Sequence, residues 1–313
     1  MRKIECFKIR ILEASSDNVW DIRNQKPLHD IVCDHLPFSI NPVAIVADPF
    51  LFVYRGKLFL FYEMKRNYSP GVICMTNTED LINWSKPVVV LEEKFHLSYP
   101  FVLEENGNVY MIPETSEVGD IRLYKADNDK LEHFSFFKTL IHKEINGVEI
   151  RYADSSVYIK NGVYYLMSST EKHGVNTLYL YLSNNLYGPY KDHPCSPVCS
   201  SQKYGRNGGC LIESEGRLYR LSQDCEKRYG DNLHLFEVLE LNSSSYKERL
   251  IVSALIPQDV AYYLEGGHQY NSIRYKGKII VATDAKEYNS YLVYRCVHKL
   301  SQILFRIVGK TIM

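Results

Sequence analysis

Acidic residues recur at fixed distances from five glycines in this sequence. Asp48 and Asp154 each lie eight residues before a glycine, whereas Glu63, Glu114 and Asp284 each lie seven residues after one. Two carboxyl groups that face one site can act as a general base and a general acid, which is the pair that glycoside hydrolysis requires. The spacing therefore predicts a polar, acid-rich site, provided that the fold brings these positions together.

Each of the five glycines opens a segment that is typical of a β-strand. They lie 51, 55, 54 and 61 residues apart, and they are Gly56, Gly107, Gly162, Gly216 and Gly277. Between residues 46 and 63, two apolar and aromatic runs flank Gly56, which predicts a tight hairpin. A repeat of roughly 50 residues is typical of a radial array of sheets, since one four-stranded sheet cannot bury both of its faces. The sequence therefore predicts an all-β fold, a five-bladed β-propeller.

The propeller is expected to form a single domain over residues 1–313. Its blades are predicted at about residues 45–92, 96–141, 149–195, 204–252 and 264–308. The alternating segment at residues 7–12 is expected to complete the last blade, because closing the ring removes an exposed strand edge. Positions nearly equidistant from a hairpin turn lie opposite one another. The ten positions that flank the five glycines should therefore surround one mouth of the propeller.

The composition narrows the range of partners. The chain has 37 basic and 37 acidic residues and no long basic run, so no nucleic-acid binding is expected. The sequence has no run of about 18 apolar residues, so no membrane-spanning helix is predicted. The first ten residues are interrupted by charge and lack the apolar stretch of a signal peptide. A cytoplasmic location is therefore expected.

The C-terminal tail leaves two interpretations open. Its apolar residues occur at helical spacing with basic residues beside them, and they are Leu300, Ile303, Leu304, Ile307 and Val308. The tail could cap the domain, or it could rest as a basic amphipathic segment on an anionic membrane surface. A peripheral membrane contact therefore joins the expected partners as one of the two alternatives.

The cysteines do not indicate a metal site or a disulfide framework. Eight cysteines are scattered along the chain, and disulfides are not expected in a reducing compartment. His193, Cys195 and Cys199 lie close together in a loop, but their spacing fits no standard zinc site. No metal and no other cofactor is therefore predicted.

The openings of the blades resemble those of the five-bladed propellers of glycoside hydrolase family 43. In that family an Asp-Pro on the first inner strand carries the general base, and an Asp on the third holds the sugar and tunes pKa values. A Glu on the fourth is the general acid, and a Gly-His on the fifth lies near the axis. Asp48, Asp154 and His268 match the first, third and fifth positions, but Arg206 stands where the acid is expected.

A more specific resemblance, over roughly residues 45–285, is to the propeller segment of plant glucosamine inositolphosphorylceramide transferases and to similar stand-alone bacterial proteins. The shared motifs lie at residues 47–52, 96–100, 206–209 and 223–225. This resemblance implies work on glycans or glycolipids. It does not fix the reaction, because the plant proteins carry a separate transferase domain outside the shared segment.

Three functions fit these residues. In a glycosyltransferase with a phosphate-activated donor, Asp48 would deprotonate the acceptor hydroxyl, while Arg206 and Asn207 would hold the donor phosphate. This is the preferred hypothesis, since a phosphate leaving group needs no proton donor. A glycoside hydrolase would instead use Asp48 as base and Glu114 as a displaced acid whose pKa is raised by burial. The third function is a carbohydrate-binding propeller without turnover.

The expected substrate is a sugar nucleotide or a glycan. The predicted catalytic residues are Asp48, Asp154 and Glu114. The predicted substrate-binding residues are Arg206, Asn207, His268, Gln223, Asp224, Tyr99, His96 and Glu63. Two of these residues, His96 and Tyr99, are expected either to stack on a sugar ring or to pack within the protein.

Overall fold

The structure is a computed structural model that describes residues 4–15, 18–33, 43–66, 68–145, 148–289, 299, 300 and 303. Strands dominate this part of the chain, and helical structure is confined to three short 3₁₀ turns (Ile22–Asn24, Ser116–Val118 and Ala261–Tyr263) and to residues 299, 300 and 303. No helix among the described residues is long and apolar enough to cross a membrane. The predicted all-β class is thereby confirmed.

The strands follow the glycine repeat along the chain. Two strands precede it: β1 (Ile4–Ala14) and β2 (Lys26–Ile31). The first repeated unit holds β3 (Val43–Tyr54), β4 (Lys57–Arg66), β5 (Gly71–Thr78) and β6 (Val88–Leu91). The second holds β7 (Ser98–Glu105), β8 (Asn108–Glu114), β9 (Asp120–Ala126) and β10 (Phe134–His142). A short pair follows, β11 (Glu144–Ile145) and β12 (Val148–Glu149).

The later units have the same order. The third holds β13 (Tyr152–Lys160), β14 (Val163–Lys172), β15 (Val175–Ser183), β16 (Lys191–Asp192) and β17 (Cys199–Ser200). The fourth holds β18 (Arg206–Asn207), β19 (Ile212–Ser214), β20 (Arg217–Asp224), β21 (Asn232–Leu241) and β22 (Tyr246–Val252). The fifth begins with β23 (Tyr270–Tyr275) and β24 (Lys278–Asn289).

The fifth unit takes its outer strands from the start of the chain. Strand β24 pairs antiparallel with β1 along the whole length of β1, and β1 pairs in turn with β2. One parallel bridge, between Phe7 and Ile45, links this unit to the first. Residues 290–298 and 304–308 of the predicted fifth blade, and most of the tail, lie outside the described residues. The assignment of the chain to a single domain stays a prediction.

The inner strands of the five units follow one another around a common axis. Strands β3, β7, β13 and β18 contact each other in that order, and β23 contacts β3. The Tyr270 N–H donates to the Gly208 carbonyl at 3.0 Å, and the Leu51 N–H donates to Asn271 Oδ1 at 2.9 Å. The described strands therefore form a five-bladed β-propeller, with each unit as one blade.

The first hairpin of every blade is closed by the same kind of turn. In each turn the two central residues have positive φ, between 47° and 79°; they are Arg55–Gly56, Asn106–Gly107, Asn161–Gly162, Glu215–Gly216 and Lys276–Gly277. Positive φ at both positions defines the type I′ turn, whose twist matches that of the flanking strands. The repeated glycine therefore sets the register of each inner hairpin.

Three inner strands carry a bulge at one shared position. Asp48, Tyr99 and Asp154 have φ values of 54°, 45° and 53°, and the pairing with the next strand shifts at each of them. A bulge adds one unpaired residue and redirects side chains. The partner of Glu63 is consequently Ala47 rather than Asp48, so that Asp48 lies free of the ladder near the axis.

Apolar side chains fill the spaces between neighbouring blades. Leu60 and Ile280 share a cluster between the first and fifth blades, while Phe61 and Met111 share another between the first and second. Three further clusters join the remaining pairs of neighbours. Burial of sheet faces against each other supplies the main favourable free energy of folding, and it fixes how the inner strands meet at the axis.

Gly209 offers a direct test of this convergence. A Cβ on Gly209 would lie 2.2 Å from the Tyr270 carbonyl oxygen, and its φ is 146°. Gly209→Ala should therefore lower the free energy of unfolding by about 3 kcal/mol, through strain and overpacking. In the matched control Gly216→Ala, where nothing lies within 4 Å, the loss should be about 1 kcal/mol. Chemical denaturation measures both, and equal losses would contradict the close approach.

Candidate functional site

A cavity of about 170 Å³ lies between the inner strands near the axis. Six of the residues singled out in the sequence line it: Asp48, Glu63, His96, Glu114, Arg206 and His268. A larger groove of about 580 Å³ runs between the fourth and fifth blades, but it contains none of these side chains. The small cavity is therefore the candidate active site.

Asp48 is held in this cavity by contacts from the second and fifth blades. Its Oδ2 accepts the Tyr99 N–H at 3.2 Å, and its Oδ1 lies 3.4 Å from His268 Nε2. Burial raises the pKa of Asp48 to about 6; His268 opposes this shift, and the negative charge of Asp284 adds to it. Near neutral pH the carboxylate is ionised but easily protonated, which suits a general base.

His268 lies between two buried carboxylates. Its Nδ1 is 2.7 Å from Asp284 Oδ2, and its Nε2 faces Asp48. Asp284 Oδ1 also accepts the backbone N–H groups of His268 and Gln269, at 2.8 and 3.0 Å. Burial alone would lower the pKa of His268, but Asp284 and then Asp48 outweigh it and raise the pKa to about 9. The imidazole is therefore protonated at neutral pH.

Asp48, His268 and Asp284 also bear on metal binding. Their ligand atoms lie within 4.8 Å of one another, and among the described residues this is the one such group. A protonated imidazole donates from both nitrogens and offers no lone pair to a metal. His268 thus supplies the positive charge that two neighbouring carboxylates require. Both ring nitrogens of His193 are likewise engaged within the protein. Its Nε2 contacts the Asn242 carbonyl at 2.7 Å, and its Nδ1 accepts the Cys195 N–H.

Asp154 anchors the guanidinium of Arg206, which stands where the resemblance to hydrolase propellers predicts an acid. Its Oδ2 accepts from Arg206 Nε at 2.6 Å and from Gln223 Nε2 at 3.2 Å. Burial raises the pKa of Asp154, and the positive charge of Arg206 opposes this shift. Asn207 donates its amide to the Asp154 carbonyl at 2.8 Å. The fully buried Asn207 and Gln223 therefore join the third and fourth blades and do not line the cavity.

Arg206 projects from this anchor into the cavity. Its Nη2 lies 3.7 Å from Glu114 Oε2, and its Cζ lies 5.1 Å from the centre of the Tyr229 ring. Glu114 accepts a further hydrogen bond from Ser116 Oγ at 2.7 Å. The guanidinium is thus bracketed by two carboxylates and one aromatic ring, with part of its donor set directed to the cavity.

Glu63 has fewer partners than the other acids of the cavity. Its Oε1 lies 3.5 Å from His96 Nε2, while His96 Nδ1 accepts the Gly71 N–H at 2.9 Å. Burial and then the charge of Asp48 raise the pKa of Glu63 well above its ordinary value. Burial therefore favours the protonated form of Glu63, which is the form that could donate a proton to a ligand.

Besides Asn207 and Gln223, two further predicted substrate-binding side chains are not brought into the cavity. Tyr99 is fully buried, and its ring packs edge-on against Phe50 with centroids 4.8 Å apart. Of the two expected roles for Tyr99, the structure therefore has the packing role. Asp224 accepts from His234 Nε2 and from the Glu226 N–H, both at 3.0 Å. Its carboxylate thus holds a loop beside the site.

Sequence reasoning missed two residues near the mouth of the cavity. Tyr229 lines it from the loop between β20 and β21, and Lys286 lies behind Tyr229 on β24. Neither residue occupies a position of the glycine register. The one signal for Tyr229 was its place shortly after the motif at residues 223–225.

Comparison with known proteins assigns this chain to a family. Residues 4–289 match the family model described as "Glucosamine inositolphosphorylceramide transferase 1, N-terminal". The chain is 36% identical over 215 residues to glucosamine inositolphosphorylceramide transferase 1 of Oryza sativa subsp. japonica, covering 66% of this chain and 28% of that protein. It is 30% identical over 283 residues to the Arabidopsis thaliana protein of that name, covering 86% and 34%. The chain thus spans about a third of these relatives.

Solved structures share the fold at low sequence identity. A family 117 glycoside hydrolase from Zobellia galactanivorans matches with a TM-score of 0.54 and 14% identity, over 77% of this chain and 84% of that one. The GH32 β-fructofuranosidase BmSUC1 of Bombyx mori gives 0.56 and 15%, over 75% and 54%. A variant of the GH43 protein BlXynB from Bacillus licheniformis gives 0.50 and 17%, over 65% and 43%. The expected likeness to hydrolase propellers is confirmed at the level of fold, and the family match shows that this chain belongs to the glucosamine inositolphosphorylceramide transferase 1 N-terminal family.

Proposed function

We propose that this chain catalyses glycosyl transfer from a phosphate-activated sugar to an acceptor during the assembly of a glycan or glycolipid. The observation that carries the proposal is that Asp48 and Arg206, from the first and fourth blades, line one small cavity. A base and a guanidinium in one site meet the needs of transfer from a phosphate donor. The name of the relatives, glucosamine inositolphosphorylceramide transferase 1, supports the same reaction class.

The proposed glycosyl transfer requires no general acid. Asp48 takes the proton of the acceptor hydroxyl, whose oxygen forms a bond to the anomeric carbon of the donor sugar. The bond from that carbon to the phosphate oxygen breaks, and the phosphate leaves with the electron pair. Arg206 stabilises the charge that develops on this oxygen. Because the guanidinium stays protonated, it binds the leaving group without donating a proton to it.

The carboxyl groups of the cavity favour an amino sugar as the transferred group. Those of Glu5, Asp48, Glu63 and Glu114 line it, beside the cations of Lys65, Arg206 and His268. An ammonium group on the sugar would find a carboxylate partner among them. Glucosamine, which appears in the name of the relatives, carries such a group when it is not acylated.

The size of the cavity indicates how a donor would lie. Sites for drug-sized ligands measure about 300–1,000 Å³, and this cavity measures about 170 Å³. One sugar ring would fill it, and a nucleotide would extend past Arg206 to the outside.

A cytoplasmic site of action and a membrane contact through residues 299–313 belong to the same proposal, since a lipid acceptor would lie at a membrane surface.

Hydrolysis is a second candidate function, and the environment of Glu63 favours it. The predicted acid, Glu114, is engaged by Ser116 and Arg206, whereas burial and the charge of Asp48 raise the pKa of Glu63 and so favour its protonated form. In this alternative Glu63 protonates the leaving oxygen while Asp48 activates water. The rate of aryl glycoside cleavage would then fall as Glu63 ionises at higher pH, and Glu63→Gln would abolish it.

Nucleotide release separates the two candidates. Incubation with a panel of UDP- and GDP-sugars, with free and acetylated amino sugars included, should release nucleotide when a glycan or glycolipid acceptor extract is present. Asp48→Asn should slow release at least about 100-fold, and Arg206→Ala should do so by about 100- to 1,000-fold. Arg206→Lys retains the charge beside Asp154 and guards against a folding artefact.

Matched controls come from exposed sites with the same chemistry. Asp192→Asn and Arg217→Ala remove exposed ion-pair partners far from the cavity, and both should leave release unchanged. Cleavage of aryl glycosides without any dependence on nucleotide would replace transfer by hydrolysis. Saturable glycan binding without release or cleavage would contradict both and indicate a binding module.

The pH dependence of transfer follows from the environment of Asp48. A base must be ionised, and the pKa of Asp48 is raised to about 6. The rate of nucleotide release should therefore rise with pH through about 6 and level off above it. A pH–rate profile between pH 4.5 and 8.5 measures the midpoint. A rate that is already constant at pH 4.5 would contradict a base in this environment.

A further inference from the structure

An aromatic ring lies across the mouth of the cavity. Tyr229 is 40% exposed, although its ring is 5.1 Å from the His268 ring and 5.1 Å from Arg206 Cζ. It therefore contacts both sides of the proposed reaction centre, and part of its side chain remains exposed. An exposed aromatic surface beside polar groups suits the apolar CH face of a pyranose ring, because aromatic side chains combine large apolar area with little conformational freedom.

The loop that carries Tyr229 is seated directly on the active-site histidine. Gly230 has a φ of 62°, and a Cβ at this position would lie 3.2 Å from His268 Cβ and 3.6 Å from the Phe7 ring. A side chain at this position would be strained at this φ and would press against His268. Arg228 further ties the loop to Asp231 and Glu265, at 2.6 and 2.7 Å. The position of the ring is thus fixed from both sides.

A buried lysine fixes the same loop from behind. Lys286 is 1% exposed, and its ammonium donates to the Tyr229 carbonyl and lies 2.9 Å from Glu5 Oε2. A buried ammonium is costly unless it is paired. For packing alone, an apolar side chain would suffice at this position, since the rings of Phe7, Tyr229 and Tyr288 lie within 6.0 Å of the Lys286 ammonium. The hydrogen bond to the Tyr229 backbone is what an apolar residue could not supply.

We propose that Tyr229 forms the wall on which the substrate sugar ring stacks, and that Lys286 is the positioning residue that holds this wall over Arg206 and His268. The inference rests on the proposed function in that it takes the ligand to be a pyranose. It adds the recognition element, a stacking face at the mouth opposite the carboxylates. Hydroxyl and amino groups of the sugar then point inward to the acids.

Binding of simple glycosides tests this proposal without any turnover. The probes are methyl β-D-glucosaminide and methyl β-D-glucoside, titrated against the protein by NMR, with saturation transfer to map the contacted protons. In the wild-type protein, the ring CH protons on one face should receive the strongest transfer. Tyr229→Ala should weaken binding about tenfold, whereas Tyr229→Phe should retain wild-type affinity. Phe137→Ala removes a similarly exposed ring far from the cavity and should change nothing.

The role of Lys286 is tested through a double-mutant cycle. Lys286→Met should weaken glycoside binding several-fold in the wild-type background and have no further effect in the Tyr229→Ala background. A merely structural lysine would weaken binding equally in both backgrounds. Thermal unfolding of each variant confirms that the comparison is made on folded protein.

The outcomes distinguish this inference from the proposed function. Absence of glycoside binding to the wild-type protein, or equal binding by Tyr229→Ala, would overturn the stacking wall even if nucleotide release were observed. Tyr229-dependent glycoside binding without nucleotide release would retain the wall and reject the transfer reaction. Additive losses in the cycle would overturn the positioning role of Lys286.

Discussion

The site depends on one electrostatic constraint, namely that two carboxylates, Asp48 and Asp284, are buried against a single imidazole. Two buried negative charges at such a position require a positive partner, because desolvation of a charge costs several kcal/mol. His268 solves this by staying protonated between them. The backbone follows from the same constraint: the bulge at Asp48 and the glycines around His268 exist where chain segments must approach the axis closely.

A second ion pair distinguishes this chain from the hydrolase arrangement that its fold resembles. Where the resemblance predicts an acid, Arg206 is bonded to Asp154. Arg206 opposes the effect of burial on the pKa of Asp154, and the pair places a permanent cation in the same cavity as Asp48. A leaving group that needs a proton gains nothing from this cation, whereas one that departs as an anion does. The proposed reaction therefore depends on the residue at a single inner-strand position.

Much of the fold could be predicted from glycine spacing, for a physical reason. A two-residue type I′ turn fixes strand register, and register fixes which side chains reach the axis. The bulge was beyond that logic, so the sequence paired Asp48 with Glu63 where the structure pairs Ala47. The glycine spacing also did not show which acids have several partners. The contacts of Glu114 with Ser116 and Arg206, and the contact of Glu63 with His96, depend on the relative placement of blades that are distant in sequence.

Loop positions were harder still. Tyr229 reaches the cavity because Gly230 allows its loop to rest on His268, and Lys286 supports it from a strand whose outer neighbour is the start of the chain. No periodicity marks either residue. Conversely, Asn207 and Gln223 have the polar character of ligand-binding residues but are used to join two blades. Sequence alone does not tell a polar group facing a cavity from one facing a neighbouring strand.

The most direct test of the account is the ionisation of Asp48 itself. NMR titration of protein labelled with ¹³C at aspartate carboxyl groups, with Asp48 assigned by its loss in Asp48→Asn, reports this value without any substrate. The account predicts a midpoint near 6, because the carboxyl group is desolvated among other acids and held by His268. A midpoint near the ordinary value of about 4 would show that Asp48 is solvated, and the shared cavity on which the account depends would not exist.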